Sequence, residues 1–250
     1  MITDMRVLVV GGSGYVGTLI LPALADRYTI RVLDLRSPAT ECDYVAGDAT
    51  DESALATAMA GVDAVLHCAM GAPVESVPEA AAAIDAYDVN VKSVHLTLLA
   101  AHRAGVRHAV HISSMSVYRD LLDRSIDDES VPTDATDLYG LTKRLGEQVC
   151  HAAATEWGLS INVLRLTWPT PDNLWPAWGR TRPPMLLRSG DGNPVEATAG
   201  SDLARAIGAA LEFRDGFQFF TISGDRSLRR WGIGKAGRLL GWEPIFGIDS

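Results

Sequence analysis

Tyr139-Gly140-Leu141-Thr142-Lys143 sets a phenol four residues from an ammonium group. In a helix, residues at that spacing stand one above the other on a single face. The apolar periodicity from Leu138 to Trp157 predicts such a helix, with Asp137 or Thr136 as its N-cap. A free tyrosine titrates near ~10 and is a poor proton acceptor at neutral pH. A nearby cation favours the phenolate, so the pair reads as an acid/base, with Lys143 expected to lower the Tyr139 pKa. Hydroxyls that could orient a reacting oxygen cluster at Ser113, Ser114 and Ser116.

The elements that would position these groups can be traced from the N-terminus. Arg6 to Val10 is a short β-branched run, followed by Gly11-Gly12-Ser13-Gly14-Tyr15-Val16-Gly17 and a helical pattern to Ala25. Gly11 can make the tight turn, Gly14 can let the backbone approach a pyrophosphate, and Gly17 can let helix and strand pack closely. The start of the helix, Tyr15 and Val16, offers N–H groups and a positive dipole end to phosphate. Thr29 to Leu33 is a second strand, ending at Asp34, where a carboxylate can accept from both hydroxyls of an adenosine ribose and repel a 2′-phosphate. NAD is therefore favoured over NADP, although Arg36 could hold that phosphate.

A strand at 44–46 leads to Gly47-Asp48-Ala49-Thr50-Asp51 and a capped helix to Ala60. Asp48 is placed either to meet an adenine amino group or to close its own turn. Ala64 to Cys68 is a fourth strand, with His67 read as a core residue, and the small residues from Ala69 to Pro73 would let the backbone pass close to a cofactor. Glu79 to Ala104 reads as one long helix, Val106 to Ile112 as the fifth strand with the serines just beyond it, and Ser160 to Leu166 as the sixth. From Thr167 to Asn193 the rhythm breaks into a proline-rich stretch in which Trp168, Trp175 and Trp178 could wall a pocket, with Arg180 or Arg182 pairing an anion. A helix at 200–213, a strand at 217–223 and a helix at 228–240 complete the pattern.

This alternation predicts an α/β fold, a Rossmann-type doubly wound parallel sheet. Residues 1–166 would form the dinucleotide-binding core carrying the catalytic groups. Residues 167–250 would form a small substrate-binding region that adds a final strand and helices to the same fold. At 250 residues and 47% hydrophobic, the chain can bury a sizeable core. A net charge of −9 without basic blocks argues against nucleic acid and against anionic membranes. Cys42, Cys68 and Cys150 are odd in number and lack metal-ligand spacing, so no metal is expected and the thiols suit a cytoplasmic protein. The short apolar run at the N-terminus is wrongly flanked for a signal peptide.

The ordered set GGSGYVG, Asp34, GDATD, HCA, DVNV, HISSMSVY and YGLTK resembles the extended short-chain dehydrogenase/reductases, the NAD-dependent epimerase/dehydratase family, over residues 5–166. The resemblance implies that Ser114, Tyr139 and Lys143 are catalytic and that Lys143 also binds the nicotinamide ribose. It implies that Asp48, Ala49, Cys68, Ala69 and Asn90 line the cofactor. The ending Leu239-Leu240-Gly241-Trp242-Glu243-Pro244 is similar to the small uronate-dehydrogenase branch, which makes Thr167 and Arg180 or Arg182 candidates for holding a sugar acid. The expectation is hydride transfer between NAD and a small polar alcohol in a homodimer. An epimerase or dehydratase, and a non-catalytic dinucleotide sensor, are the alternatives.

Overall fold

The computed structural model describes residues 4–71, 78–226 and 230–246. Seven parallel strands form the central sheet: β1 (Arg6–Val10), β2 (Thr29–Asp34), β3 (Asp43–Ala46), β4 (Ala64–His67), β5 (His108–Ser114), β6 (Ser160–Leu166) and β11 (Phe217–Ile222). Their spatial order is β11-β6-β5-β4-β1-β2-β3. The order reverses between β1 and β4, and a doubly wound sheet opens its ligand crevice at such a reversal, beyond the carboxyl ends of the strands. Central strands buried on both faces must be apolar throughout, and Val7 to Val10, Val65 and Leu66 are fully buried.

Helices α1 (Tyr15–Ala25) and α6 (Gly200–Glu212) cover one face, where Ile20, Leu24, Leu203 and Ile207 pack on Val9, Val32 and Leu164. On the other face, α2 (Glu52–Ala58), α4 (Ser93–Arg103) and α5 (Leu138–Trp157) bury Leu55, Leu98 and Cys150 against Leu8, Val65 and Val163. The helix expected from Glu79 to Ala104 is divided. α3 (Glu79–Tyr87) passes through a π-helical turn at Asp88–Lys92 into α4. The extra residue in that turn carries Asn90 inward, where it is 2% exposed.

Two other boundaries differ from expectation. β5 continues to Ser114, because Ser113 and Ser114 pair in register with Arg165 and Leu166 of β6, so these serines end the strand and do not follow it. The closing helix expected from Leu228 is shorter: Trp231 instead bridges to Ile126, and the described part of that stretch ends in a π-helical turn at Ala236–Leu240. Residues 72–77, including Ala72 and Pro73, and residues 227–229 lie outside the described residues.

The proline-rich stretch is built from short pieces. β7 (Pro169–Thr170) pairs in parallel with β10 (Thr198–Ala199), and β8 (Leu187–Arg188) pairs antiparallel with β9 (Pro194–Val195). Trp168 and Trp178 pack on a small separate core of Met115, Val117, Tyr118, Ile126, Leu187, Val195 and Trp231. Aromatic packing thus fixes the stretch over the carboxyl ends of β5 and β6.

Candidate active site

The glycine turn after β1 is shaped by steric exclusion. Gly11 has φ +84°, and a Cβ there would lie 2.4 Å from backbone atoms of Ala69. A Cβ on Gly17 would fall 1.9 Å from the carbonyl oxygen of Gly12, so only glycine lets α1 pack this closely on the turn. Gly14 caps α1 without a side-chain hydrogen bond. The helix start therefore presents its dipole and backbone with no side chain across it, and this is a cradle that fits a dinucleotide pyrophosphate.

At the end of β2, the Asp34 carboxylate accepts from the backbone N–H of Ser13 at 2.9 Å and of Arg36 at 3.1 Å. Arg36 folds back, its guanidinium donating to the Ser13 carbonyl at 3.4 Å. Each Asp34 oxygen keeps a second lone pair for a ribose hydroxyl, which fits the unphosphorylated dinucleotide. Asp48 accepts from the Thr50 N–H and hydroxyl at 2.7 and 2.9 Å, closing its own turn beside Ala49. The Cys68 thiol donates to the Gly11 carbonyl at 3.4 Å, and burial pushes its pKa up to about 12. Asn90 is built into the wall of the crevice, accepting from Gly71 N–H at 3.4 Å and donating to the Thr142 hydroxyl at 3.0 Å.

Asp137 caps α5, accepting from Gly140 N–H at 3.0 Å, and so aims the first helical turn at the carboxyl end of β5. Tyr139 in that turn is half-buried, and its phenol is hydrogen-bonded to the Ser114 hydroxyl. Ser113 points the other way, donating to Glu147 at 2.7 Å. The structure thus separates the neighbouring serines and puts Ser114 beside the phenol. Ser116 contributes only its backbone, donating to the Ser114 oxygen at 3.1 Å.

The electrostatics differ from the expected Tyr/Lys coupling. Burial raises the Tyr139 pKa, and the opposing influences are the Ser114 hydrogen bond and the charge of Arg180. Lys143 is turned toward the sheet, 3% exposed, and donates to the Ile112 carbonyl at 2.9 Å. Burial pulls it down to about 8. The helical spacing does bring both residues to one site, but the cation acting on the phenol comes from the Trp-rich stretch.

That cation, Arg180, has its guanidinium 5.3 Å from the centre of the Tyr15 ring, and Tyr15 donates to the Pro169 carbonyl at 3.0 Å. Arg180 thus lies against the first residue of α1 while its charge also acts on Tyr139. Arg182 is exposed two residues further on. Thr167 is 1% exposed, and its hydroxyl is bonded to Thr198 and Ser223, both at 3.0 Å. It braces the stretch and does not face an open crevice. Glu147 and Arg165, which form a buried pair below Lys143, were not singled out by the sequence pattern, although Glu147 repeats the four-residue spacing of Tyr139 and Lys143. Among the described residues, no group of three His, Cys, Asp or Glu side chains is placed to hold a metal. No helix among them is long and apolar enough to cross a membrane.

Comparison with known proteins agrees with this architecture. Residues 7–170 match the family described as NAD dependent epimerase/dehydratase family. A 3 beta-hydroxysteroid dehydrogenase/Delta 5-->4-isomerase of Mycobacterium tuberculosis is 31% identical over 212 residues, covering 80% of this chain and 55% of that protein. The chain spans about half the length of the curated relatives it matches first. Its fold is shared with a short-chain dehydrogenase/reductase superfamily protein from Agrobacterium tumefaciens with bound NAD. The TM-score is 0.81 at 23% identity, over 98% of this chain and 94% of that one. A mutated uronate dehydrogenase shares it at TM-score 0.78 and 22% identity, over 98% and 83%.

Proposed function

This chain belongs to the NAD-dependent epimerase/dehydratase family, and from that premise we propose that it transfers a hydride between NAD and a secondary alcohol of a small sugar or sugar acid. The observation that carries the proposal is the Tyr139 phenol bonded to the Ser114 hydroxyl under the charge of Arg180. That arrangement offers a proton acceptor, an orienting hydroxyl and a cation at one point.

In the oxidising direction, Tyr139 removes the proton from the substrate hydroxyl. Ser114 donates a hydrogen bond to the same oxygen and holds it in line. General-base assistance of this kind is worth roughly 10² to 10⁴ in rate. NAD, when bound, supplies the hydride acceptor. Gly11, Gly14, Gly17 and the first turn of α1 would hold its pyrophosphate, Asp34 its adenosine ribose, and Lys143 its nicotinamide ribose. Arg180 both favours the phenolate and pairs an anionic group of the substrate, so a carboxylate-bearing sugar is the favoured class. Arg182 is the weaker candidate, because Arg180 is the arginine that bears on Tyr139.

The uronate dehydrogenase fold relationship supports the small-substrate reading. We take the chain to act as a homodimer, with the apolar Ile84 and Tyr87, 66% and 42% exposed on α3, as part of the contact; light scattering tests this. For the reaction, uronates, aldoses and nucleotide sugars are screened with NAD at the NADH absorbance band. Net NADH formation on a uronate supports the proposal. Turnover of a sugar without net NADH points to an epimerase or dehydratase. NAD binding without turnover on any alcohol or ketone points to a sensor.

A further inference from the structure

We propose that Glu147 is a positioning residue of this site: its buried carboxylate, one helical turn from Lys143, holds that lysine as the ammonium ion and, through Ser113, fixes the end of β5 that carries Ser114. The inference rests on the catalytic roles proposed above for Lys143 and Ser114.

The geometry is a row on one face of α5, Tyr139, Lys143 and Glu147, each four residues from the next. The outermost member meets the Ser114 hydroxyl, and the innermost anchors the row to the sheet. One Glu147 oxygen accepts from Ser113 at 2.7 Å and from Arg165 Nε at 2.9 Å, and the other accepts from Arg165 Nη2 at 2.8 Å. Arg165 also donates to the Tyr118 hydroxyl at 2.6 Å, and its guanidinium lies 4.2 Å from the centre of the Phe219 ring. Glu147 and Arg165 are 4% and 3% exposed.

A buried ion pair is a poor source of stability, because desolvation offsets its attraction and apolar side chains of similar volume commonly do as well. A role beyond stability is therefore worth seeking, and the surroundings of Lys143 supply one. The titratable groups around it are His67 on β4, Cys68 just after it, His111 on β5, and Glu147 and Cys150 on α5. Burial keeps His67, pulled down to about 3, and His111 neutral. Burial likewise pushes the Cys68 and Cys150 thiols up and holds them protonated. Cys68, Glu147 and Cys150 are the groups that raise the Lys143 pKa against its burial, and with both thiols protonated the contribution that remains is that of Glu147. Arg165 pairs with the Glu147 carboxylate at 2.8 Å, which offsets its charge in the core.

The test reads Lys143 directly and needs neither substrate nor NAD. Lys92, Lys143 and Lys235 are the lysines of the whole chain, so [6-13C]lysine labelling gives three Cε resonances, with Lys143 assigned by its absence in Lys143→Met. The expected midpoint for Lys143 is about 8 in the parent protein, moving down by about one pH unit or more in Glu147→Gln, while Lys92 is unmoved. Glu147→Met combined with Arg165→Met removes the carboxylate without leaving a buried charge unpaired, so it provides the same reading if the single variant does not fold. A midpoint that is unchanged or higher in a folded variant overturns the proposal. Because the titration is independent of turnover, a failure of the hydride-transfer reading is recognised separately, by the absence of activity in the parent protein.

Discussion

Arg180 is the cation whose charge bears on the Tyr139 phenol, although the two lie 41 residues apart and on different parts of the fold. The Trp-rich stretch therefore does more than roof the crevice. Replacing Arg180 by Gln removes an influence that lowers the phenol pKa, so the rising limb of the oxidation rate moves to higher pH. For an anionic substrate KM also rises, by tenfold or more for a lost charge-assisted pair. A pH–rate profile with a uronate and with a neutral aldose checks both effects: the limb moves for both substrates, and KM rises for the uronate alone.

Burial of the Lys143 ammonium group costs stability. Its folded pKa of about 8 lies below the ~10.4 of an unfolded lysine. Burying the ammonium therefore opposes folding by about 3 kcal/mol where both the folded and the unfolded chain carry the charge. The cost is fully present below about pH 8 and disappears as pH rises toward ~10.4. Lys143→Met is accordingly expected to be more stable than the parent protein at pH 7, with the difference shrinking to nothing by about pH 10.5. Tyr28, Tyr118 and Cys68 titrate upward in the folded state and bend the absolute curve the other way. The difference between the two proteins in urea unfolding at each pH is thus the quantity to measure.

Asp34 holds the glycine turn through Ser13 and Arg36 in addition to the ribose contact proposed for it. Asp34→Ala loses charge-assisted hydrogen bonds on both sides, each worth roughly 1.5–3 kcal/mol. NADH affinity is expected to fall at least tenfold, while NADPH affinity falls less, so that the preference narrows. Fluorescence titration with both nucleotides checks this. An unchanged ratio would show that the Asp34 carboxylate does not set the preference between the two nucleotides.

The fold was legible because the first six strands are short, largely apolar runs, the first three closed by Gly11, Asp34 and Gly47, and helical periodicity fills most of the gaps between them. The glycine turn, Asp34 and the Tyr139–Lys143 pair could be read from spacing along single elements, whereas Ser114 was set apart from Ser113 and Ser116 only by the family resemblance. What escaped depends on contacts between elements far apart in the chain. The π-helical turn at Asn90 leaves the apolar periodicity of Glu79 to Ala104 almost intact, so one helix was the natural reading. The Thr167 hydroxyl is taken up by Thr198 and Ser223, 31 and 56 residues further on. The side chain that modulates Tyr139 belongs to a stretch with no periodicity. The Glu147–Arg165 pair joins a helix to a strand, and the four-residue repeat from Tyr139 through Lys143 was its sequence trace.

The central claim is that Tyr139 is the proton acceptor in hydride transfer, and Tyr139→Phe tests it most directly. The ring, its packing and the rest of the dinucleotide cradle remain, while the proton-accepting oxygen is removed. With a substrate found in the NADH screen, kcat is expected to fall by roughly 10² to 10⁴, with NADH affinity by fluorescence titration within about twofold of the parent protein. Retention of the parent kcat in the folded, NADH-binding variant would contradict the account.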